Sequence, residues 1–265
     1  MADDNAVRIL RRVILILAML ALAGVMAWPF RGRLHSWLMV AANGEFTIEQ
    51  RLEQYGPAAR QRLRPHFDKA SITYPPHRLV IVGLKTERRL ELYAAGAPGK
   101  DGDDAAGKLR FIRDYPILGA SGVAGPKLRR GDRQVPEGLY RIELLNPNSR
   151  FHLSLRVNYP NDHDRAMAER DGRGGEDLGG DIMIHGGSAS VGCLAMGDPA
   201  AEDLFVLAAD TGLDHIELIL APRDLRNAAP PPPAENAPAP APGWLPDLYA
   251  QITRALVKLP SKHMD

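Results

Sequence analysis

The sequence predicts an α+β domain, rich in strands and with few helices, over roughly residues 73–226. Three observations predict it. Short apolar runs bounded by glycine, proline and asparagine recur from His77 to Tyr159. A single strong helical stripe follows Asp198-Pro199 and stops at Gly212. A proline–alanine tract beyond residue 226 then ends any continuation of the core.

The elements follow in chain order. Arg8, Arg11 and Arg12 precede an uncharged run from Val13 to Phe30, closed by Arg31 and Arg33. Its 18 residues would span roughly 27 Å as a helix, enough for a bilayer core. Basic residues ahead of the run orient it from the cytoplasm outwards. Ala21-Leu22-Ala23 and Val25-Met26-Ala27 offer the alternative of signal-peptide cleavage. Residues 1–34 are therefore read as a membrane anchor or a signal peptide, and either reading exports the remainder.

Residues 35–72 read as a helical linker, two short amphipathic helices between Phe46 and Ala70 broken at Gly56-Pro57. Tyr74-Pro75-Pro76 ends helical geometry, because a residue before proline is pushed to extended backbone. His77–Lys85 and Arg88–Tyr93 then pair as a hairpin. A polar loop over Lys100–Gly107 leads to a strand at Leu109–Ile117. Leu139–Leu145 and Phe151–Tyr159 flank Asn146-Pro147-Asn148-Ser149, a turn by composition. In the second of these, Phe151, Leu153, Leu155, Val157 and Tyr159 face one way, and His152, Ser154, Arg156 and Asn158 the other. That pattern describes a half-buried antiparallel strand. His163-Asp164 reads as a loop pair.

Asp181-Ile182-Met183-Ile184 runs as a strand into His185. Beyond the glycine-rich bend, Asp198 reads as a helix N-cap and Pro199 as the first helical residue. Leu204, Phe205, Leu207 and Ala208 supply the buried stripe, and Ile216–Ala221 a last strand. Residues 227–243 form a Pro/Ala-rich spacer. Residues 244–260 form an amphipathic helix through Leu245, Leu248, Tyr249, Ile252, Leu256 and Leu259, which docks back on the domain or meets a partner or membrane surface.

Composition excludes some functions. A formal net charge of +1, with scattered arginines, offers no bulk electrostatic case for nucleic acid. Neither HxH nor HExxH occurs, so the histidines give no metal signature, and no cofactor is expected. The chemistry concentrates in DIMIHGGSASVGCLAMGD, Asp181 to Asp198. It holds the only cysteine, Cys193, eight residues after His185. A strand carrying a histidine, followed by a glycine-loosened bend returning a thiol, is one way to build a Cys–His nucleophile. A lone exported thiol is also a liability unless it acts, since such compartments oxidise thiols.

Three stretches, Gly125–Ile142, Leu145–Asn161 and Gly179–Asp198, together resemble the L,D-transpeptidase catalytic domain family (YkuD-type), in its YafK-like branch. The resemblance covers roughly Thr73–Arg226. It implies an L,D-transpeptidase-like catalytic fold acting on peptidoglycan stem peptides at the periplasmic side of the inner membrane, anchored there or secreted. Where much of the family carries Ser-His-Gly-Cys and a nearby arginine, this chain has Val191 in place of the histidine and Leu194–Met196 in place of the arginine context. Some members of the branch are similar in sequence yet hydrolyse peptidoglycan–lipoprotein links, which leaves the acyl acceptor open between an amine and water.

The resemblance implies Cys193 as nucleophile and His185 as its base. Gly192 and Cys193 would supply backbone oxyanion donors. Ser190 or a backbone carbonyl such as that of Gly186 would orient the imidazole. Ser188 and Ser190 equally fit turn residues bonding their own backbone. Tyr159 lines the donor groove or packs in the core. Lys127, Arg156 and Arg165 are candidates to hold stem carboxylates, or are solvated charges.

Overall fold

The computed structural model describes Met19 and residues 45–98, 107–232, 234 and 236–261. The apolar run Val13–Phe30, Met19 aside, and most of the loop after Lys100 lie outside the described residues. Among the described residues, no helix is long and apolar enough to cross a membrane. The chain divides between Glu45 and Phe46, and the sheet and helices belong to the second unit.

Helix α1 spans Ile48–Lys69 without a break, although two helices were expected. Thr47 and Gln50 close it with a reciprocal capping box. Pro57 forfeits one backbone bond inside the helix. Packing carries the helix through that loss, because Ala59, Leu63 and Phe67 are fully buried on one stripe. Gly56 leaves room there for Arg60. A Cβ would meet the Arg60 guanidinium at 2.6 Å, and Arg60 is held by Asp210 through two 2.7 Å bonds.

Eight strands follow: β1 (Arg78–Leu84), β2 (Arg89–Ala95), β3 (Arg110–Pro116), β4 (Gly138–Ser149), β5 (His152–Val157), β6 (Met183–His185), β7 (Leu194–Ala195) and β8 (Ile216–Ala221). They form one mixed sheet in the order β3-β2-β1-β8-β4-β5-β6-β7. The β1–β8 and β6–β7 pairs are parallel and the others antiparallel. The expected hairpin of β1 and β2 forms, in register from Arg78↔Ala95 to Leu84↔Arg89.

Asn146–Ser149 does not turn the chain. Strand β4 runs through it with a register shift, and the reversal falls at Arg150-Phe151. The polar side chains are used sideways instead. Asn148 exchanges two 2.9 Å bonds with the backbone of Phe46, and the Pro147 carbonyl accepts from Arg51. The bulge thus anchors the start of α1.

Helix α2 (Asp162–Arg170) replaces the loop expected at His163-Asp164; Asn161 and Asp164 form its capping box. Helix α3 (Asp198–Thr211) begins one residue earlier than expected, with Gly197 as cap and Asp198 already helical. Its stripe of Leu204, Phe205, Leu207 and Ala208 is buried between the sheet and α1. Arg62 bridges Glu202 and Asp203 across that contact. Helix α4 (Leu245–Leu256) docks back on the domain. Its Leu245, Leu248, Tyr249, Ile252 and Leu256 close a second core over Val80, Val82, Tyr93 and Ile219. Tyr249 donates to Glu137 at 2.9 Å, and Lys85 holds the other oxygen of that carboxylate. The Pro/Ala segment before α4 lies along the 124–134 loop, the two lining a cleft of about 390 Å³.

Candidate active site

Sheet pairing builds the site. Ile184 faces the core with its register partners Leu155 and Leu194. Side chains alternate along a strand, so His185 projects from the opposite face, level with Ser154 on β5 and Ala195 on β7. One pair further back, Met183 lies opposite Arg156. Cys193 stands in the bend immediately before β7. The Met183 N–H reaches Cys193 Sγ at 3.3 Å, which ties the thiol to β6. The thiol is thereby bonded to β6 two residues before His185 on the same strand.

The bend between them is shaped by its own bonds. Gly187 and Gly192 have φ of +68° and +80°, a region that disfavours side chains. The Gly187 N–H donates to Asp198 at 2.8 Å, fastening the bend to the start of α3. The Cys193 N–H donates to Ser190 Oγ at 3.2 Å, and the Gly192 N–H to Ser121 Oγ at 2.7 Å. Gly119 and Ala195 exchange backbone bonds at 3.2 and 2.8 Å, which lays the segment after β3 across the bend. A Cβ on Gly119 would come within 2.3 Å of the Ser188 carbonyl, so only glycine permits that approach.

His185 is 2% exposed. Its Nδ1 lies 2.6 Å from the Gly186 carbonyl. A carbonyl only accepts, so Nδ1 carries the proton and Nε2 is the basic nitrogen of the neutral ring. Phe151 stacks on the imidazole, centroids 4.5 Å apart and planes 32° from parallel. Cys193 is half-buried. Burial pushes its thiol above the ordinary value; the Met183 N–H, the Lys127 charge and Ser190 oppose that rise, while Asp181 adds to it. At neutral pH the resting sulfur is a thiol, and its hydrogen points to the Asp181 carbonyl at 3.5 Å.

The other sequence candidates fall in different places. Lys127 is no solvated charge: it pairs with Asp132 at 2.6 Å, both side chains nearly fully buried, close enough to act on the thiol. Arg156 sits on the site's face between Glu143 at 2.8 Å and Asp181 at 3.6 Å. Tyr159 is 4% exposed, and its hydroxyl donates to the carbonyls of Lys127 and Leu178 at 3.2 Å each. It braces the loops that hold Lys127. Arg165 stands exposed on α2 and bonds the Pro160 carbonyl, rather than any group around Cys193. Among the described residues, no group of three or more His, Cys, Asp or Glu could hold a metal ion.

Ser121 has no signal in the sequence and Asp198 reads there only as a helix N-cap, because contacts across the fold, not local pattern, bring them to the bend. Phe151 was visible as an inward strand residue, but nothing in its alternation points to a histidine.

A family model of the L,D-transpeptidase catalytic domain, YkuD, matches residues 77–214. The chain belongs to that family. The matched span of this YkuD domain runs from the start of β1 to the end of α3, and includes His185 and Cys193. YafK of Escherichia coli K12 is 36% identical over 124 residues, 46% of this chain and 44% of the relative. The match therefore spans less than half the length of that curated relative. Among solved structures, the helical cell shape determining protein Pgp2 of Campylobacter jejuni is 20% identical with a TM-score of 0.43, over 62% of this chain and 55% of that one. Bd1075 of Bdellovibrio bacteriovorus is likewise 20% identical, with a TM-score of 0.37 over 57% and 50%.

Proposed function

We propose that this protein is a cysteine L,D-transpeptidase of the cell envelope, acting on tetrapeptide stems of peptidoglycan. One observation supports the reading: the Met183 N–H holds the Cys193 sulfur against β6 at 3.3 Å, two residues before His185, whose tautomer the Gly186 carbonyl defines. Because burial keeps the sulfur protonated, a base must act as the nucleophile attacks. His185 Nε2 takes the thiol proton while Sγ bonds to the carbonyl carbon of the third stem residue. The tetrahedral intermediate then collapses: the carbon–nitrogen bond to D-alanine breaks, the amine leaves with the proton from His185, and a thioester remains. An amine acceptor yields a cross-link, and water yields a trimmed stem. A lipoprotein–peptidoglycan bond as target would be the hydrolytic version of the same chemistry.

Gly192 and Cys193 N–H groups are the oxyanion donors in this scheme, each worth about 3 kcal/mol in the transition state. Ser190 shapes the bend, Arg156 is the candidate to hold a stem carboxylate, and the Lys127–Asp132 pair secures the loop beside the thiol. The Val13–Phe30 segment holds the domain at the periplasmic side of the inner membrane, or is removed on export to the periplasm.

The test is mass spectrometry of the protein incubated with tetrapeptide muropeptides, with and without added amine. A thioester adduct on Cys193 is expected, absent in Cys193→Ala and slowed about 10²–10⁴-fold in His185→Ala. Dimers in the product report transpeptidation, and trimmed stems report hydrolysis. A wild-type protein that never forms an adduct at Cys193 refutes the reading.

A further inference from the structure

Both backbone donors flanking the thiol are already occupied. Gly192 N–H gives its hydrogen to Ser121 Oγ at 2.7 Å, and Cys193 N–H to Ser190 Oγ at 3.2 Å. Ser121 is not a passing contact. Its own proton goes to the Arg133 carbonyl at 2.7 Å, so towards Gly192 the hydroxyl can only accept. Its segment is zipped to β7 through Gly119 and Ala195, which fixes the distance between Ser121 and the bend. Arg133 in turn belongs to the loop that Gln134 secures by accepting from the Val123 N–H at 2.9 Å.

We propose that these two hydroxyl oxygens stand in for the substrate oxyanion in the ligand-free enzyme, and that Ser121 is a gate on the oxyanion site. The inference rests on the cysteine acyl-transfer reading above and adds a regulating group to it. The physical logic is competitive. A neutral substrate carbonyl is no better an acceptor than a serine hydroxyl, so it does not displace Ser121 in the ground state. The oxyanion of the tetrahedral intermediate accepts hydrogen bonds about twice as strong as neutral ones and does displace it. The donors are thus released to the transition state rather than to the bound substrate, which favours kcat over binding. No loop has to open, because rotation about the Ser121 Cα–Cβ bond clears the Gly192 N–H on a timescale far shorter than turnover.

The gate slows acylation by the net strength of one neutral hydrogen bond, on the order of two- to tenfold. Two reagents separate this from other effects. A carbapenem acylates the thiol through an oxyanion. Iodoacetamide alkylates it by direct displacement with none, and so reports only sulfur access and ionisation. In Ser121→Ala, the ratio of the carbapenem to the iodoacetamide second-order rate constant should rise by about two- to tenfold. Ser190→Ala should raise the same ratio by opening the second donor. A ratio unchanged or lowered in both variants, with wild-type alkylation rates attesting an intact fold, overturns the gate. Alkylation without acylation in every protein, wild type included, would instead sink the acyl-enzyme reading itself.

Discussion

Replacing Asp132 with asparagine tests how the loop beside the thiol is held. Lys127 and Asp132 meet at 2.6 Å with side chains 6% and 3% exposed. At an effective dielectric near 20, that separation corresponds to a gross attraction of about 6 kcal/mol. Desolvation of both charges consumes much of it, and losing one partner of a buried pair typically costs about 3–5 kcal/mol, because the other charge is stranded. Asp132 also accepts from the backbone N–H groups of Leu128, Arg129 and Gln134 at 2.8–3.1 Å. An asparagine oxygen can retain some of these bonds, so the stranded ammonium dominates. Burial alone would raise the Asp132 pKa, but the bonds from Lys127 and the three N–H groups outweigh it and hold the carboxyl below its usual range. A carboxyl depressed on folding stabilises above its unfolded pKa, and that contribution is lost as pH falls through the folded value. Asp132→Asn should therefore be about 3–5 kcal/mol less stable in urea titrations at pH 7, with the difference shrinking as both proteins are acidified below the ordinary carboxylate range. A loss under about 1 kcal/mol at pH 7, or one that does not change on acidification, would refute the claim that this ion pair secures the loop.

Ile252→Ala probes whether α4 belongs to the core. Ile252 is fully buried in the second cluster, so its truncation should cost about 2–5 kcal/mol by chemical denaturation, whereas a helix reserved for another partner would show almost no change. Gly186→Ala should disturb the site directly. The added methyl would meet Asp198 Oδ1 at 2.6 Å, the Phe151 carbonyl at 2.7 Å and His152 Cβ at 2.9 Å. Moving Gly186 moves the carbonyl that orients His185. Acylation of Cys193 should fall by about 10²-fold, with roughly 1–3 kcal/mol of stability lost, and wild-type acylation rates would show that this carbonyl does not matter.

The sequence alone carried the strand-rich α+β class, most strand positions, and the Cys–His bend. Those features are written locally. Alternation marks Leu153, Leu155 and Val157, and a glycine-bearing bend joins His185 to the only thiol. It misjudged elements whose local preference conflicts with packing. Gly56-Pro57 reads as a helix break, yet the burial of Ala59, Leu63 and Phe67 outweighs one lost backbone bond. Asn146–Ser149 reads as a turn, yet its amide side chains bond Phe46 and keep β4 running.

Only tertiary structure could decide what surrounds the sulfur. Ser121 meets Gly192 across 71 positions of chain, and β8 enters the sheet between β1 and β4, far from its neighbours in sequence. Lys127, read as a holder of stem carboxylates or a solvated charge, is instead buried against Asp132. Periodicity reports which face of an element is apolar. It does not report which distant backbone will fill the space above that face, because that is settled by sheet order and loop closure, where a single hydroxyl lands on a backbone donor.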